Sequence, residues 1–332
     1  AAVSNGYLYI AGGIDSGGST IATVYYAKLN ADGSTGAWQT SANALPAVRR
    51  DGGLLAANGY VYYVGGDNSA GTAQSSVYYA RLNADGSTGA WLTTTSITAA
   101  RSSFGSGLIV GNYLYVIGGQ SSAGLPNDTV YYAPLNANGT VGAWQSDSDT
   151  LPGLRQSHSL LANNGYLYVV GGWDNSTNNN TVYYSAINAD GSNGAWSTNA
   201  NALPANRRLH SSVAANGYLY AIGGYDGSAA QSTVYYASAS RVLLGSNLDL
   251  VGLSGENLAD GGPYRAIELR VFAKHATGQS TTAAILTASN PQVAVPAGLS
   301  VVGSVGQINL QATTPTDVDY AGTIIWAGNA TG

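Results

Sequence analysis

The sequence predicts an all-β protein: a five-bladed β-propeller over residues 1–240, followed by a small β-sandwich over 241–332. Three observations predict it. A Gly-Gly pair recurs at Gly12, Gly65, Gly118, Gly171 and Gly223, with a period of 53, 53, 53 and 52 residues. A Val-Tyr-Tyr triplet keeps step with it, starting at Val24, Val77, Val130, Val182 and Val234. Short apolar runs separated by Asn-Gly and Asp-Gly fill the rest of each unit. A period of this length built from short strands marks a propeller or solenoid array, in which each repeat is one supersecondary unit.

The second copy shows the elements in order. Strand a covers 54–57 and turns at Asn58-Gly59 into strand b, 60–66, which ends on Gly65-Gly66. A loop leads to strand c at 76–82, and the turn Ala84-Asp85-Gly86-Ser87 leads to Trp91 in strand d. Asn-Gly and Asp-Gly are strong hairpin signals, because both central residues of a type I′ turn need positive φ. Strands b and c are apolar or aromatic at nearly every position, as in sheets covered on both faces. Glycine inside a strand marks close backbone approach, which places the Gly-Gly pairs at the crowded inner part of each blade.

The ring has a gap. Gly-Ala-Trp marks strand d at Trp38, Trp91, Trp144 and Trp196, but no such turn and Trp follow Tyr236. Five copies of a–b–c therefore share four of d. The open edge of the last copy, Thr233, Val234, Tyr235, Tyr236 and Ala237, is a template for strand addition. The nearest supply is the apolar run Arg241 to Leu244; the other is a neighbouring molecule, and a head-to-tail contact of that kind need not close. Residues 246–332 form a different module. Alternation through Ile267, Leu269, Val271 and Ala273, and short runs near 283–287, 299–302, 306–312 and 323–326, predict several short strands and hence the sandwich.

Composition narrows function by exclusion. Charged residues make up 9% of the chain, against about 25% in ordinary globular proteins. With 12 Lys plus Arg and a net charge of −5 there is no basic footprint, so no nucleic-acid partner is expected. The absence of cysteine removes disulfides, thiolate metal sites and cysteine nucleophiles together. No run approaches the length of a membrane span. The chain starts inside a repeat and lacks methionine, which reads as a processed and hence exported protein, extracellular or at the cell surface.

Gly-Gly closing strand b, an aromatic strand c, Trp in strand d and Leu-Pro-x-x-Arg before the next strand a together resemble kelch repeats. The best copies of the last element are Leu45-Pro46-Ala47-Val48-Arg49, Leu151-Pro152-Gly153-Leu154-Arg155 and Leu203-Pro204-Ala205-Asn206-Arg207, while Ile97-Thr98-Ala99-Ala100-Arg101 lacks the proline. The likeness covers residues 1–236 and implies a kelch-like propeller. It implies no activity, since such propellers serve as enzymes, adaptors and structural parts. The copper-radical oxidases built on kelch repeats need a cysteine–tyrosine pair, which this chain cannot form.

Antiparallel order gathers the b–c and d–a loops on one side of the disc. That side collects Asp15, Asp67, Asp174 and Asp226 after the glycine pairs, with Arg49, Arg101, Arg155, Arg207, His158 and His210. One reading makes these a polar ligand site around the central channel. The other makes them hydrogen-bonding pegs between blades, as their periodic recurrence implies. Sites sit more often on irregular positions, which favours Trp173 and Tyr225, where other copies carry Ile14, Asp67 and Gln120. An aromatic pair beside Asp174 and Asp226 suits a sugar or peptide. Glycoside hydrolysis needs two spaced carboxylic acids, yet the two glutamates, Glu256 and Glu268, both lie beyond the repeats. The turn 30–38 is similar to a sialidase Asp-box in position and composition, but its Asp-to-Trp spacing is one residue too long. No catalytic set, metal site or cofactor is expected. The expected function is a surface structural or adhesive protein that self-assembles into a filament by strand addition. Its partners would be other copies of itself, surface proteins or glycans. The alternative is a lectin or sialidase-like carbohydrate-active enzyme that uses the Arg/Asp loop face.

Overall fold

A computed structural model describes residues 1–216 and 218–238, together with the backbone of six strands between 264 and 327. The chain divides into two compact units, Ala1–Ala239 and Ser240–Gly332.

The first unit is a five-bladed propeller. Blade one holds β1 (Ala2–Ser4), β2 (Tyr7–Ala11), β3 (Val24–Lys28) and β4 (Gln39–Thr40). Blade two holds β5 (Gly53–Ala57), β6 (Tyr60–Val64), β7 (Val77–Arg81) and β8 (Leu92–Thr94). Blade three holds β9 (Leu108–Val110), β10 (Tyr113–Ile117), β11 (Val130–Pro134) and β12 (Gln145–Ser146). Blade four holds β13 (Ser159–Asn163), β14 (Tyr166–Val170), β15 (Val182–Ala186) and β16 (Ser197–Thr198). Blade five has β17 (Ser211–Ala215), β18 (Tyr218–Ile222) and β19 (Val234–Ser238), so β19 is the edge of its sheet among the described residues. Each sheet runs in chain order and is antiparallel throughout. Among the described residues the chain forms the expected five blades, four of them with a fourth strand.

The turns obey local chemistry, with one correction. Asn58 and Gly59 both take positive φ, 52° and 78°, as a type I′ hairpin requires. In the c–d turns only the glycine does so, Gly86 at 83°. Asp85 instead accepts hydrogen bonds from the Ser87 amide and hydroxyl at 2.9 and 2.7 Å, an Asx turn that needs no positive φ at the aspartate.

The glycine pairs are crowded, but by the next blade and not by the axis. The first strands of successive blades, β1, β5, β9, β13 and β17, pack side by side as the innermost elements. The Gly66 amide donates to the Arg101 carbonyl at 2.9 Å, and a Cβ on Gly65 would collide with that oxygen. Both glycines have positive φ, 59° and 83°. Gly13, Gly119 and Gly172 make the same bond to Arg49, Arg155 and Arg207.

The core is a series of slabs between blades. Tyr9, Val24 and Tyr26 of blade one meet Leu54, Val61, Tyr63 and Tyr78 of blade two. Tyr62, Val64 and Val77 meet Leu114, Val116 and Tyr131 of blade three. Tyr115, Ile117 and Val130 meet Leu160, Val169 and Tyr183 of blade four. Leu161, Val170 and Val182 meet Ala221 and Tyr235 of blade five. Each blade thus has a front face that packs on its successor and a back face that receives its predecessor.

In the second unit the strands Tyr264–Val271, Pro291–Ala294 and Tyr320–Ala327 form one antiparallel sheet. Thr282–Thr287, Leu299–Val302 and Gln307–Ala312 form another. The expected sandwich, and the expected pairing of Arg241–Leu244 with the edge at 233–237, depend on residues outside the described set.

Candidate functional site

The four recurrent arginines are buried, at 3–5% exposure. Each guanidinium has the same surroundings. Arg155 Nη1 donates to its neighbour's carbonyl, Leu154 O, at 2.7 Å, and Nη2 donates to Thr181 Oγ1 at 2.7 Å and Tyr183 Oη at 2.8 Å. Its guanidinium carbon sits 4.8 Å from the Tyr183 ring centroid. Arg49 repeats this with Val48, Ser76 and Tyr78, Arg101 with Ala100, Thr129 and Tyr131, and Arg207 with Asn206, Thr233 and Tyr235. Burial lowers the pKa of Arg101 and Arg155 from the usual guanidinium value. A pocketed cation held by two hydroxyls and an aromatic face locks the d–a loop onto strand c. The tyrosine partners lie 28 to 30 residues downstream, a spacing that sequence reasoning did not exploit.

The loop aspartates turn inward on their own loops. Asp15 accepts from the Gly17 and Ser19 amides at 2.9 and 2.8 Å. Asp226 accepts from the Ser228 and Ala229 amides and from Gln231 Nε2 at 2.7, 2.9 and 2.7 Å. Burial alone would raise the Asp174 carboxyl, but hydrogen bonds from Thr177, Asn179 and Ser176 outweigh it and hold it far below its usual range. Asp67 differs: its residue is buried, and desolvation pushes its pKa up.

The histidines line the inner start of strand a. His158 and His210 are buried at 2% and 6% exposure, and they occupy the position that is Gly52 in blade two and Phe104 in blade three. Burial, with Arg155 and His210 nearby, pushes His158 down to about 3. Burial and Arg207 push His210 down to about 4. Both are therefore neutral over the physiological range. His210 Nε2 lies 2.8 Å from Ser159 Oγ. No group of three His, Cys, Asp or Glu side chains able to hold a metal occurs among the described residues. Among them too, no helix is long and apolar enough to cross a membrane.

Trp173 and Tyr225 stay half-buried on the loop face. Both continue the innermost loop pairing, Gln156 with Trp173 and Arg208 with Tyr225, just as Arg50 pairs with Asp67 in blade two. The Arg208 guanidinium lies 5.1 Å from the Tyr225 ring centroid, and Tyr225 Oη donates to the Gly227 carbonyl at 2.9 Å. Of the expected site, these aromatic rings and the neighbouring polar loops keep surface toward solvent, while the arginines and histidines do not.

Residues 53–242 match the family model described as the KLHDC2/KLHL20/DRC7 Kelch-repeats domain. Among solved structures, one titled "Structure of YjhT" aligns over 69% of this chain and 77% of its own, at 16% identity and a TM-score of 0.56. That likeness concerns the fold. No curated protein matches the chain.

Proposed function

The chain belongs to the kelch-repeat family, and from that premise we propose that it is a non-enzymatic interaction protein, an exported structural or adhesive component that joins copies of itself by strand addition at blade five. One observation carries this. Four blades are closed by a fourth strand, whereas β19 forms the edge of a three-stranded sheet among the described residues. A strand edge presents a row of backbone donors and acceptors, each costing about 1–3 kcal/mol if water is excluded without a partner. The chemistry of the loop face supports the non-enzymatic half of the reading. Its arginines are consumed as pegs and three of its four aspartates as loop caps.

A carbohydrate-binding reading rests on Trp173 and Tyr225, whose half-exposed rings stand beside Asp174 and Asp226. A lectin or sialidase-like enzyme would have to act through these residues, because the guanidinium groups of Arg49, Arg101, Arg155 and Arg207 are turned into the blades.

Negative-stain microscopy of the full chain, a glycan array and a panel of glycosidase substrates separate the two. The expected result is particles joined end to end, with no turnover and no glycan retained. Turnover or glycan retention that disappears in Trp173→Ala or Asp174→Ala would replace the structural reading with the carbohydrate one.

A further inference from the structure

Asparagine before glycine is a labile dipeptide. The glycine amide nitrogen, unshielded by a Cβ, attacks the asparagine side-chain carbonyl and expels ammonia. The cyclic succinimide that forms takes up water and opens to aspartate or isoaspartate. The dipeptide occurs at Asn5, Asn58, Asn138, Asn164, Asn193 and Asn216. Its surroundings divide four of these into two kinds.

Asn138 and Asn193 are tied down. Asn138 Oδ1 accepts from the Thr140 amide and hydroxyl at 3.1 and 2.7 Å, and the Gly139 amide donates to the Asn136 carbonyl at 2.9 Å. A Cβ on Gly139 would overlap the Tyr60 ring of blade two, so the turn has no room to swing. Asn193 is 2% exposed, and its Nδ2 donates to the Asp149 and Gly194 carbonyls at 3.0 and 2.9 Å. The Gly194 amide donates to the Ala186 carbonyl at 2.9 Å. Attack at either place must first break these bonds and free a nitrogen already engaged.

Asn5 and Asn58 lie open. Both are exposed at the tips of a–b hairpins, and the Cβ positions of Gly6 and Gly59 have nothing within 4 Å. The two glycine carbonyls accept from Leu29 and Leu82, but among the described residues neither glycine amide donates a hydrogen bond. This follows from the turn, which pairs only the flanking residues, Ser4 with Tyr7 and Ala57 with Tyr60. Asn58 Nδ2 reaches Asn112 Oδ1 at 3.5 Å, the outer limit of a hydrogen bond, and Oδ1 of Asn58 accepts none among the described residues.

We propose that Asn5 and Asn58 are sites of spontaneous deamidation in the folded protein, while Asn138 and Asn193 are held inert. Aspartate at 58 replaces the amide that faces Asn112 by a carboxylate. Isoaspartate lengthens the main chain by one carbon inside a two-residue turn, and that length fixes the register of β5 on β6. Conversion therefore adds negative charge at the a–b turns and loosens their hairpins. The inference is independent of self-association.

Peptide mapping by mass spectrometry of the full-length chain, kept folded in mildly alkaline buffer, measures each site. A parallel sample in urea gives the rates without structure. In the folded chain Asn5 and Asn58 should convert at least about tenfold faster than Asn138 and Asn193, the weight of one or two hydrogen bonds. In urea all four should converge, since each is followed by glycine. Thr140→Ala removes one bond to Asn138 and should speed that site about 2- to 10-fold. Equal folded rates at Asn58 and Asn138 overturn the proposal. So does an Asn58 that converts in urea but not in the folded chain, because the hairpin then protects it. No acceleration in Thr140→Ala overturns the part given to hydrogen bonding at Asn138.

Discussion

Blade three and blade five are built from nearly the same strands, yet they differ in burial. Val130 and Ile117 are fully buried, whereas Val234 and Ile222 at the same places in the repeat are 52% and 43% exposed. Strand register is not the cause: β10 pairs with β11, and β18 with β19, residue for residue over five positions. The difference is the neighbour. Blade three is sandwiched between two others, while among the described residues blade five has a partner only on its back. In a repeat array the stability of a unit is its own term plus those of its two interfaces, so an end unit holds the same hydrogen bonds with less apolar burial.

The largest test of that comparison is at the arginine pegs. Arg155→Ala leaves the Tyr183 and Thr181 hydroxyls and the Leu154 carbonyl without their cation in a buried site. It should cost about 3 kcal/mol or more, at about 1–3 for each of the three unsatisfied groups. Arg207→Ala exposes its partners Thr233 and Tyr235 in the looser blade five, where water replaces the lost bonds. It should cost about half as much. Urea unfolding of both variants decides the matter, and equal losses would break the distinction between inner and end junctions.

The next effect is on acid stability. Burial lowers His158 to about 3 and His210 to about 4, from 6.5. The unfolded chain therefore binds more protons than the folded one below about pH 6.5. Stability is complete above that pH and declines as pH falls toward 4 and then 3, by at most about 1.4 kcal/mol per pH unit for each histidine. His158→Phe installs the residue that blade three already carries at Phe104, and it should flatten this acid limb by the share of one histidine. An unchanged slope in stability against pH would show that His158 is not the group taking up the proton.

The smallest effect sharpens the comparison most directly. Val130→Ala should cost about 2 kcal/mol through lost burial and a residual cavity. Val234→Ala should stay within about 0.5 kcal/mol when measured at concentrations too low for association. A cost at Val234 that rises with protein concentration would place that side chain in an interface between molecules.

Much of the propeller was legible because its signals are local. Asn58-Gly59 fixes a hairpin by φ alone, and the period from Gly12 to Gly223 repeats that hairpin along the chain. The absence of a fifth Gly-Ala-Trp motif after Tyr236 could be counted. The candidate site was only half legible. Arg49, Arg101, Arg155 and Arg207 recur, which allowed either a ligand ring or a structural peg. The contacts that bury them, Tyr78, Tyr131, Tyr183 and Tyr235, are made across a blade and have no local signature. The glycine pairs were rightly read as points of close approach. That the approaching group is the carbonyl of the loop entering the next blade emerged only when the blades were placed side by side.

Strand order, turn positions and blade count were thus determined by the sequence itself, because each depends on residues a few positions apart whose φ preferences and side-chain period act without help from the rest of the chain. Which face of each blade is dry was decided only in the tertiary structure. Val130 and Val234 sit in the same Val-Tyr-Tyr motif, and burial is a property of the surface set against a side chain, which a repeating motif does not specify for its first and last copies.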